Sequence, residues 1–383
     1  MRITFFHDTT FIKQNQEYYT KGQVNSKYLY KYLKYLDADK ITTVIREEGV
    51  NEKNKNYIKS ENLITDDIKV TGVKYNYSNA SKKVKQEMLN CDFAIIRMPS
   101  IIGLFACNEA RKNKTPYLIE MVGCPKDALW YHGGLKYKIC MPFIAIINKY
   151  YLRNAKYVIY VTKSYLQKKY PTNGKSISCS DVNLPTLDFK VLNDRIKNIR
   201  EINENKVYKL GLIGSLNVNY KGHEMIIKAA SLINSKNIEI HFLGTGNKEK
   251  WIKLAQKYNV DDKVFFDGIL PHDKVFKWMQ GIDLYLLLSK TEGLPRALIE
   301  AMSSACPCIC TNVGGVSELI NYDYLVKSGN YYNLAKKINK LLNDKEKLIS
   351  SAEENFNKSK EYQETELDKK RIEYYRIMKG IKI

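Results

Sequence analysis

Apolar residues along this chain fall into two alternating patterns. Short continuous apolar runs, the mark of strands buried on both faces, recur between stretches whose apolar positions lie three and four apart, the mark of helices packed on a sheet. In the first half the runs are Arg2–Phe6, Ile41–Ile45, Asp92–Arg97, Pro116–Met121 and Tyr157–Val161, with helical segments near 24–36, 80–89, 102–112 and 136–153. Asn193–Lys206 is charged and lacks a clear apolar period. The alternation then restarts, with strands at 207–213, 238–243, 263–267, 282–288 and 307–311 and helices at about 222–234, 247–258, 272–280, 295–304 and 331–343. Glu366–Met378 has helical spacing, with Ile372, Tyr375 and Ile377 available to pack. The pattern predicts an α/β chain of two Rossmann-like, doubly wound domains at 1–190 and 207–362, a linker at 191–206 and a terminal helix within 363–383.

A length of 383 residues suits two domains, each able to bury most of its apolar surface, and an apolar fraction of 44% supports globular folding. Met1–Phe11 has too short an apolar core for a signal peptide, and no stretch approaches the roughly 20 apolar residues of a spanning helix. The expected location is the cytoplasm. The eight cysteines are scattered through apolar segments, as reduced buried thiols are, and Cys306, Cys308 and Cys310 have no zinc-type spacing around them. Net charge is +21, and most of the excess lies before residue 190. Such a surface suits an anionic membrane face or a diphosphate-linked acceptor; no nucleic-acid motif accompanies it.

The stretch with the most chemistry is Ser289–Met302 (SKTEGLPRALIEAM), directly after the apolar run Ile282–Leu288. A strand should end at Ser289 and a helix begin at Pro295, placing the Gly293 and Leu294 N–H groups at a positive helix end suited to phosphate oxygens. Glu292 precedes the helix and Glu300 lies inside it, so the two carboxylates suit opposite ends of one extended ligand with a diphosphate in its middle. Upstream, in Leu210–Gly222, Gly214 and Ser215 end a strand while Lys221 and Gly222 open a helix, which lets Lys221 reach that diphosphate. Downstream, Cys306–Glu318 carries Gly314 and Gly315, an expected strand-to-helix turn.

With these three segments in register, the chain resembles glycosyltransferase family 4, retaining sugar transferases of the GT-B fold. The resemblance covers about the last half well and the first half more loosely. It implies two Rossmann-like domains facing across a cleft, the first for the acceptor and the second for the nucleotide sugar, with a C-terminal helix crossing back to the first domain. It assigns Glu292 to donor-sugar hydroxyls, Glu300 to the ribose, and Lys221 to the diphosphate. Gly244 in Phe242–Gly246 would line the nucleotide pocket, and Ile269 and Leu270 in Asp267–Pro271 would lie under the base. Relatives have an arginine six positions before Lys221; this chain has Ser215, and Arg296 is the nearest replacement. Relatives also have a glycine pair after the first strand, of which only Gly22 is present. Asp127 and His132, in a polar loop of the first domain, would face the donor sugar, so Glu292, Lys221, His132 and Asp127 form the expected catalytic set.

The mechanism implied is same-face transfer in which the leaving phosphate takes the acceptor proton, with no metal and no cofactor beyond the UDP- or GDP-linked donor. The only Asp-x-Asp, Asp37–Asp39, closes a helix rather than following a strand and reads as a turn. The expected activity is a hexosyltransferase acting on a lipid-linked saccharide in surface polysaccharide synthesis, with the first domain touching anionic membrane at the inner face of the cell membrane. Two other readings stay open on sequence alone: a GT-B-type sugar-nucleotide epimerase, and a basic nucleic-acid-binding module, against which the Glu292 and Glu300 pair argues.

Overall fold

The computed structural model describes residues 1–380 apart from 23, 53, 60–61, 75, 132–133 and 234–235. The chain divides into two compact units, Met1–Cys179 with the terminal Lys369–Ile383, and Ser180–Asp368.

Unit 1 contains, in order, β1 (Arg2–Gln14), β2 (Glu17–Thr20), α1 (Ser26–Leu36), β3 (Lys40–Gly49), β4 (Lys69–Val73), α2 (Tyr77–Leu89), β5 (Phe93–Met98), α3 (Ile101–Lys112), β6 (Tyr117–Met121), α4 (Pro125–Tyr131), α5 (Leu135–Arg153), β7 (Tyr157–Tyr160), α6 (Tyr165–Lys169) and β8 (Lys175–Ser178). Its sheet runs β4-β3-β1-β5-β6-β7-β8, with β2 antiparallel to β1. Where the sequence pattern ends the first strand at Phe6, β1 continues to Gln14 and turns into a hairpin, its pairing with β3 slipping between Phe6 and Thr10. Gly22 stands beyond that hairpin, where an added Cβ meets nothing within 4 Å, so the position makes no demand for glycine. Asp37 is the left-handed C-cap of α1, and Asp39 accepts from the Met1 amine at 2.7 Å, so the Asp-x-Asp serves a turn.

Unit 2 contains α7 (Phe189–Arg200), β9 (Val207–Ile213), α8 (His223–Ala230), β10 (Asn237–Leu243), α9 (Glu249–Lys257), β11 (Val264–Gly268), α10 (His272–Gly281), β12 (Leu284–Leu287), α11 (Arg296–Ser303), β13 (Cys308–Thr311), β14 (Leu325–Val326), α12 (Tyr331–Leu342) and α13 (Lys345–Ser359). All pairings in the order β11-β10-β9-β12-β13-β14 are parallel. Its core joins Leu210, Leu212 and Phe242 of the sheet to Ile226 and Ile227 of α8 and Leu334 and Ile338 of α12.

The segment expected as a linker is mostly helix. In α7 the position facing the core is Arg195, whose guanidinium donates to the carbonyls of Ile282 (2.7 Å), Gln280 (3.0 Å) and Met279 (3.1 Å), satisfying the end of α10. A buried arginine breaks the apolar period, which is why the helix is hard to see in the sequence.

The last helix, α14 (Glu364–Lys379), passes from one unit to the other, and from Lys369 onward belongs to unit 1. There Tyr375 stacks on Tyr35 with centroids 5.6 Å apart, and the Tyr374 hydroxyl accepts from Val158 N (3.0 Å) while donating to Lys175 O (2.6 Å). These contacts tie the crossing helix to β7 and β8.

Candidate donor site

Three adjacent strands of unit 2 end in one backbone platform. Gly214, just past β9, donates to Leu243 O at 3.0 Å, and Gly244, just past β10, donates to Gly268 O at 2.7 Å. The loop that follows Gly214 is held by its own polar groups: Ser215 Oγ donates to Thr245 O and accepts from Asn217 N, both at 3.3 Å, and Asn217 Oδ1 accepts from Asn247 N at 2.9 Å. Trp251 Nε1 donates to Leu216 O at 3.0 Å from below. The loop returns to the sheet at Gly222, whose φ of +94° and closeness to Leu288 (an added Cβ would lie 2.4 Å from its carbonyl oxygen) admit only glycine. That tight return presses the stem of Lys221 over Gly214, where an added Cβ would lie 3.0 Å from Lys221 Cβ.

Lys221 Nζ then meets Glu292 Oε1 at 2.7 Å. Both side chains are mostly shielded, so the contact is screened less than a surface pair. Lys290 N donates to Tyr220 O at 2.7 Å, clamping the two loops together beside the pair. A third segment braces the second loop from beneath. Thr311 Oγ1 donates to Ser289 O at 2.5 Å, and Gly315 N donates to Gly293 O at 2.7 Å. Gly314 sits at φ +59° with an added Cβ only 2.0 Å from Glu292 O, so the double glycine does more than connect a strand to a helix. It sets the height of Glu292.

The helix expected to begin at Pro295 begins one residue later; Pro295 is the N-cap of α11 and makes no side-chain cap hydrogen bond. Pro295 itself has no N–H, so the first-turn amides at the positive end of the helix dipole are those of Arg296 and its successors. Arg296 lies in that turn. Its Nη1 is shielded from solvent and, among the described residues, has no hydrogen-bond partner, the condition of a cation placed for an anion. Glu300 is buried one turn further along, and its carbonyl accepts from Ser303 Oγ (2.8 Å) and Ser304 Oγ (3.0 Å). Ile269 is exposed after β11 and Leu270 is half-buried beside it.

His223, the first residue of α8, is enclosed between the Phe242 ring (4.8 Å, edge-on) and the Trp251 ring (4.9 Å, stacked). Burial, with the nearby Lys250 and Lys221 charges, pushes its pKa down to about 4. The imidazole is neutral at physiological pH and packs as an aromatic.

Lys221, Glu292, Gly293, Leu294, Pro295, Arg296, Glu300, Gly214, Ser215 and Gly244 thus belong to one face at the C-terminal ends of β9, β10 and β12. Gly22 and Asp127 belong to unit 1, and His132 lies outside the described residues. Asp127 is committed locally: burial raises its carboxyl, but hydrogen bonds from Tyr165 and Cys124 and the Lys169 charge outweigh this and hold it below the usual range. Tyr165 OH lies 2.7 Å and Lys169 Nζ 3.1 Å away. Sequence reasoning missed the roles of Thr311, Lys290, Asn217 and Gly314; of these only the Gly314–Gly315 pair carries a legible signal.

A helix end, a lysine and two carboxylates gather where parallel strand order reverses in the second of two doubly wound units, the place where such sheets bind ligands. The profile of the family Glycosyl transferases group 1 matches residues 194–359. Protein CapJ of Staphylococcus aureus is 32% identical over 357 residues, which cover 90% of this chain and 88% of CapJ. HepE of Anabaena, solved in complex with UDP-glucose, matches with a TM-score of 0.66 at 16% identity over 97% of this chain and 98% of that one. WaaG, a glycosyltransferase involved in lipopolysaccharide biosynthesis, matches with a TM-score of 0.65 at 14% identity over 99% of this chain and all of that one, 100%. The chain belongs to the group 1 glycosyltransferases, and its fold is GT-B.

Proposed function

We propose that this glycosyltransferase is a retaining, metal-independent enzyme of hexosyltransferase type that moves a sugar from a UDP- or GDP-linked donor to a lipid-linked saccharide during surface polysaccharide synthesis. The observation that carries the proposal is the Lys221–Glu292 contact of 2.7 Å at the mouth of α11. One member of that pair suits a phosphate and the other a sugar hydroxyl, so the contact marks the junction of diphosphate and sugar. HepE, which binds UDP-glucose, and WaaG, which serves lipopolysaccharide, share the fold and support the donor and pathway class.

On donor binding, Lys221 exchanges the Glu292 carboxylate for phosphate oxygens, and Glu292 turns to accept from the sugar hydroxyls. Arg296 and the first-turn amides of α11 take the remaining phosphate charge, the task for which relatives use an arginine at the Ser215 position. Glu300 accepts from the ribose. The bond between the anomeric carbon and the phosphate oxygen breaks, the leaving diphosphate takes the proton of the acceptor hydroxyl, and the new glycosidic bond forms on the face the diphosphate leaves. The protein lowers the barrier by stabilising negative charge on the diphosphate, the kind of contact whose single loss costs about 3 kcal/mol. The basic first unit is read as the acceptor side, in contact with anionic membrane at the inner face of the cell membrane, the location proposed for the enzyme.

The reading is tested by a thermal-shift panel of UDP-, GDP- and CMP-sugars, followed by NMR of the product anomer with the best donor. A raised melting point with one nucleotide class and a retained anomeric configuration are the expected results. An inverted product removes the same-face mechanism. Isomerised sugar from donor alone converts the reading to an epimerase.

A further inference from the structure

Helix α5 is apolar on the wrong side. Its inward positions, Asn148, Leu152 and the following Ala155, are buried, as the spacing of a packed helix requires. Its outward positions are Ile139, Phe143, Ile146, Ile147 and Tyr150, spaced four, three, one and three apart on one face, and Phe143, Ile146 and Ile139 are 67%, 64% and 61% exposed. Trp130, at the end of α4, is 48% exposed. A soluble surface helix places charge on that stripe; this one flanks the stripe with cations. Lys138 lies 5.0 Å over the Trp130 ring, Arg111 of α3 lies 4.8 Å over the Tyr150 ring, and Lys149 and Arg153 are exposed along the same helix. From residue 128 to residue 180 the chain has nine Lys or Arg and no Asp or Glu. Among the described residues no helix is long and apolar enough to cross a membrane.

We infer that α5, with Trp130, docks this enzyme onto the surface of an anionic phospholipid bilayer, lying in the plane of the interface with Phe143, Ile146 and Ile147 among the acyl chains and Lys138, Lys149 and Arg153 at the headgroups. An apolar centre with a cationic rim is complementary to that surface at both depths. A second copy of the chain is a poorer occupant, because a two-fold contact sets the same acid-free, cationic segment against itself. Nucleic acid would be met by cations at the centre rather than at the edge. The inference rests on the membrane part of the reading above, and supplies its element and its lipid class.

The test uses the full chain with vesicles of phosphatidylglycerol and phosphatidylcholine, or of phosphatidylcholine alone, read by flotation and by quenching of Trp130 with brominated acyl chains against a Trp130→Phe control. The phosphatidylglycerol vesicles bind the native chain, and Trp130 is quenched. Phe143→Ser with Ile146→Ser lowers the partition coefficient by about tenfold or more. Lys138→Glu with Lys149→Glu lowers it by on the order of a hundredfold. All these positions are exposed, so melting temperatures stay at the native value. Absence of binding to the anionic vesicles, equal binding to phosphatidylcholine alone, or equal binding by both double variants overturns the inference, as does lipid-free self-association that Phe143→Ser with Ile146→Ser abolishes. A donor-induced thermal shift on the same samples separates the two readings: shift without vesicle binding removes only this one, and vesicle binding without any donor shift removes the donor platform instead.

Discussion

The two units meet the same topological position in opposite ways. In unit 1 the strand order turns at β1 and β5, and α3 follows β5; in unit 2 it turns at β9 and β12, and α11 follows β12. Each turning point offers a helix N-terminus as an anion seat. In unit 1 the chain occupies that seat itself: Asp8, from the slipped stretch of β1, accepts from Ile101 N at 2.8 Å and Ile102 N at 2.9 Å, while Arg46 donates to it at 2.8 Å and Ser100 Oγ accepts from Gly103 N at 2.8 Å. In unit 2 the N-cap of α11 is Pro295, which makes no side-chain cap hydrogen bond, and the Glu292 carboxylate is paired with Lys221. A doubly wound sheet binds a phosphate where its own residues leave the helix end unfilled, and the fold is indifferent to which half does so.

Removing the ammonium from the open seat should matter most. Lys221→Ala is expected to lower kcat by about a hundredfold, about 3 kcal/mol in the barrier, with the melting temperature little changed. Undiminished transfer would remove Lys221 from the mechanism. A similar energy appears as stability at His223. Its folded pKa of about 4 lies below the usual 6.5, so the unfolded chain takes the proton first. Stability from this group is complete above pH 6.5 and is lost as pH falls from there toward 4, by about 3 kcal/mol in total. His223→Phe should flatten that part of the acid limb in urea titrations at pH 5 and pH 7.5; an unchanged limb assigns the loss to other groups.

The filled seat is worth less. Asp8→Ala should destabilise unit 1 by about 2 kcal/mol, as two amides and a guanidinium lose their acceptor, with donor affinity unaffected. A weakened donor response in that variant would show that the two seats are not separate. The smallest effect belongs to Ser215→Arg, which restores the charge that relatives carry beside the lysine. Calorimetry should show donor affinity rising by several-fold, about 1 kcal/mol; no gain means that Arg296 already supplies that charge.

Much of this protein is local, and local features were legible. The alternation of buried runs and amphipathic stretches placed nine of the strands within a few residues and the start of β1, because strand and helix periods are set by neighbours along the chain. The strand, loop and helix around Ser289–Met302 and the helix opened by Lys221 and Gly222 were legible for the same reason. Elements that lack their own period were not: α7, with Arg195 in place of an apolar residue, the hairpin continuing β1, the edge strands β4 and β8, and the short strand β14. Nor was any contact that joins distant segments. Lys221 meets Glu292, Gly314 props Glu292, and Asp8 caps α3 only because β9 lies beside β12, β13 beside β12, and β1 beside β5. Residue type and spacing determined which groups could bind a diphosphate. Strand order, which no local period encodes, decided which helix end its own chain would fill and which it would leave open.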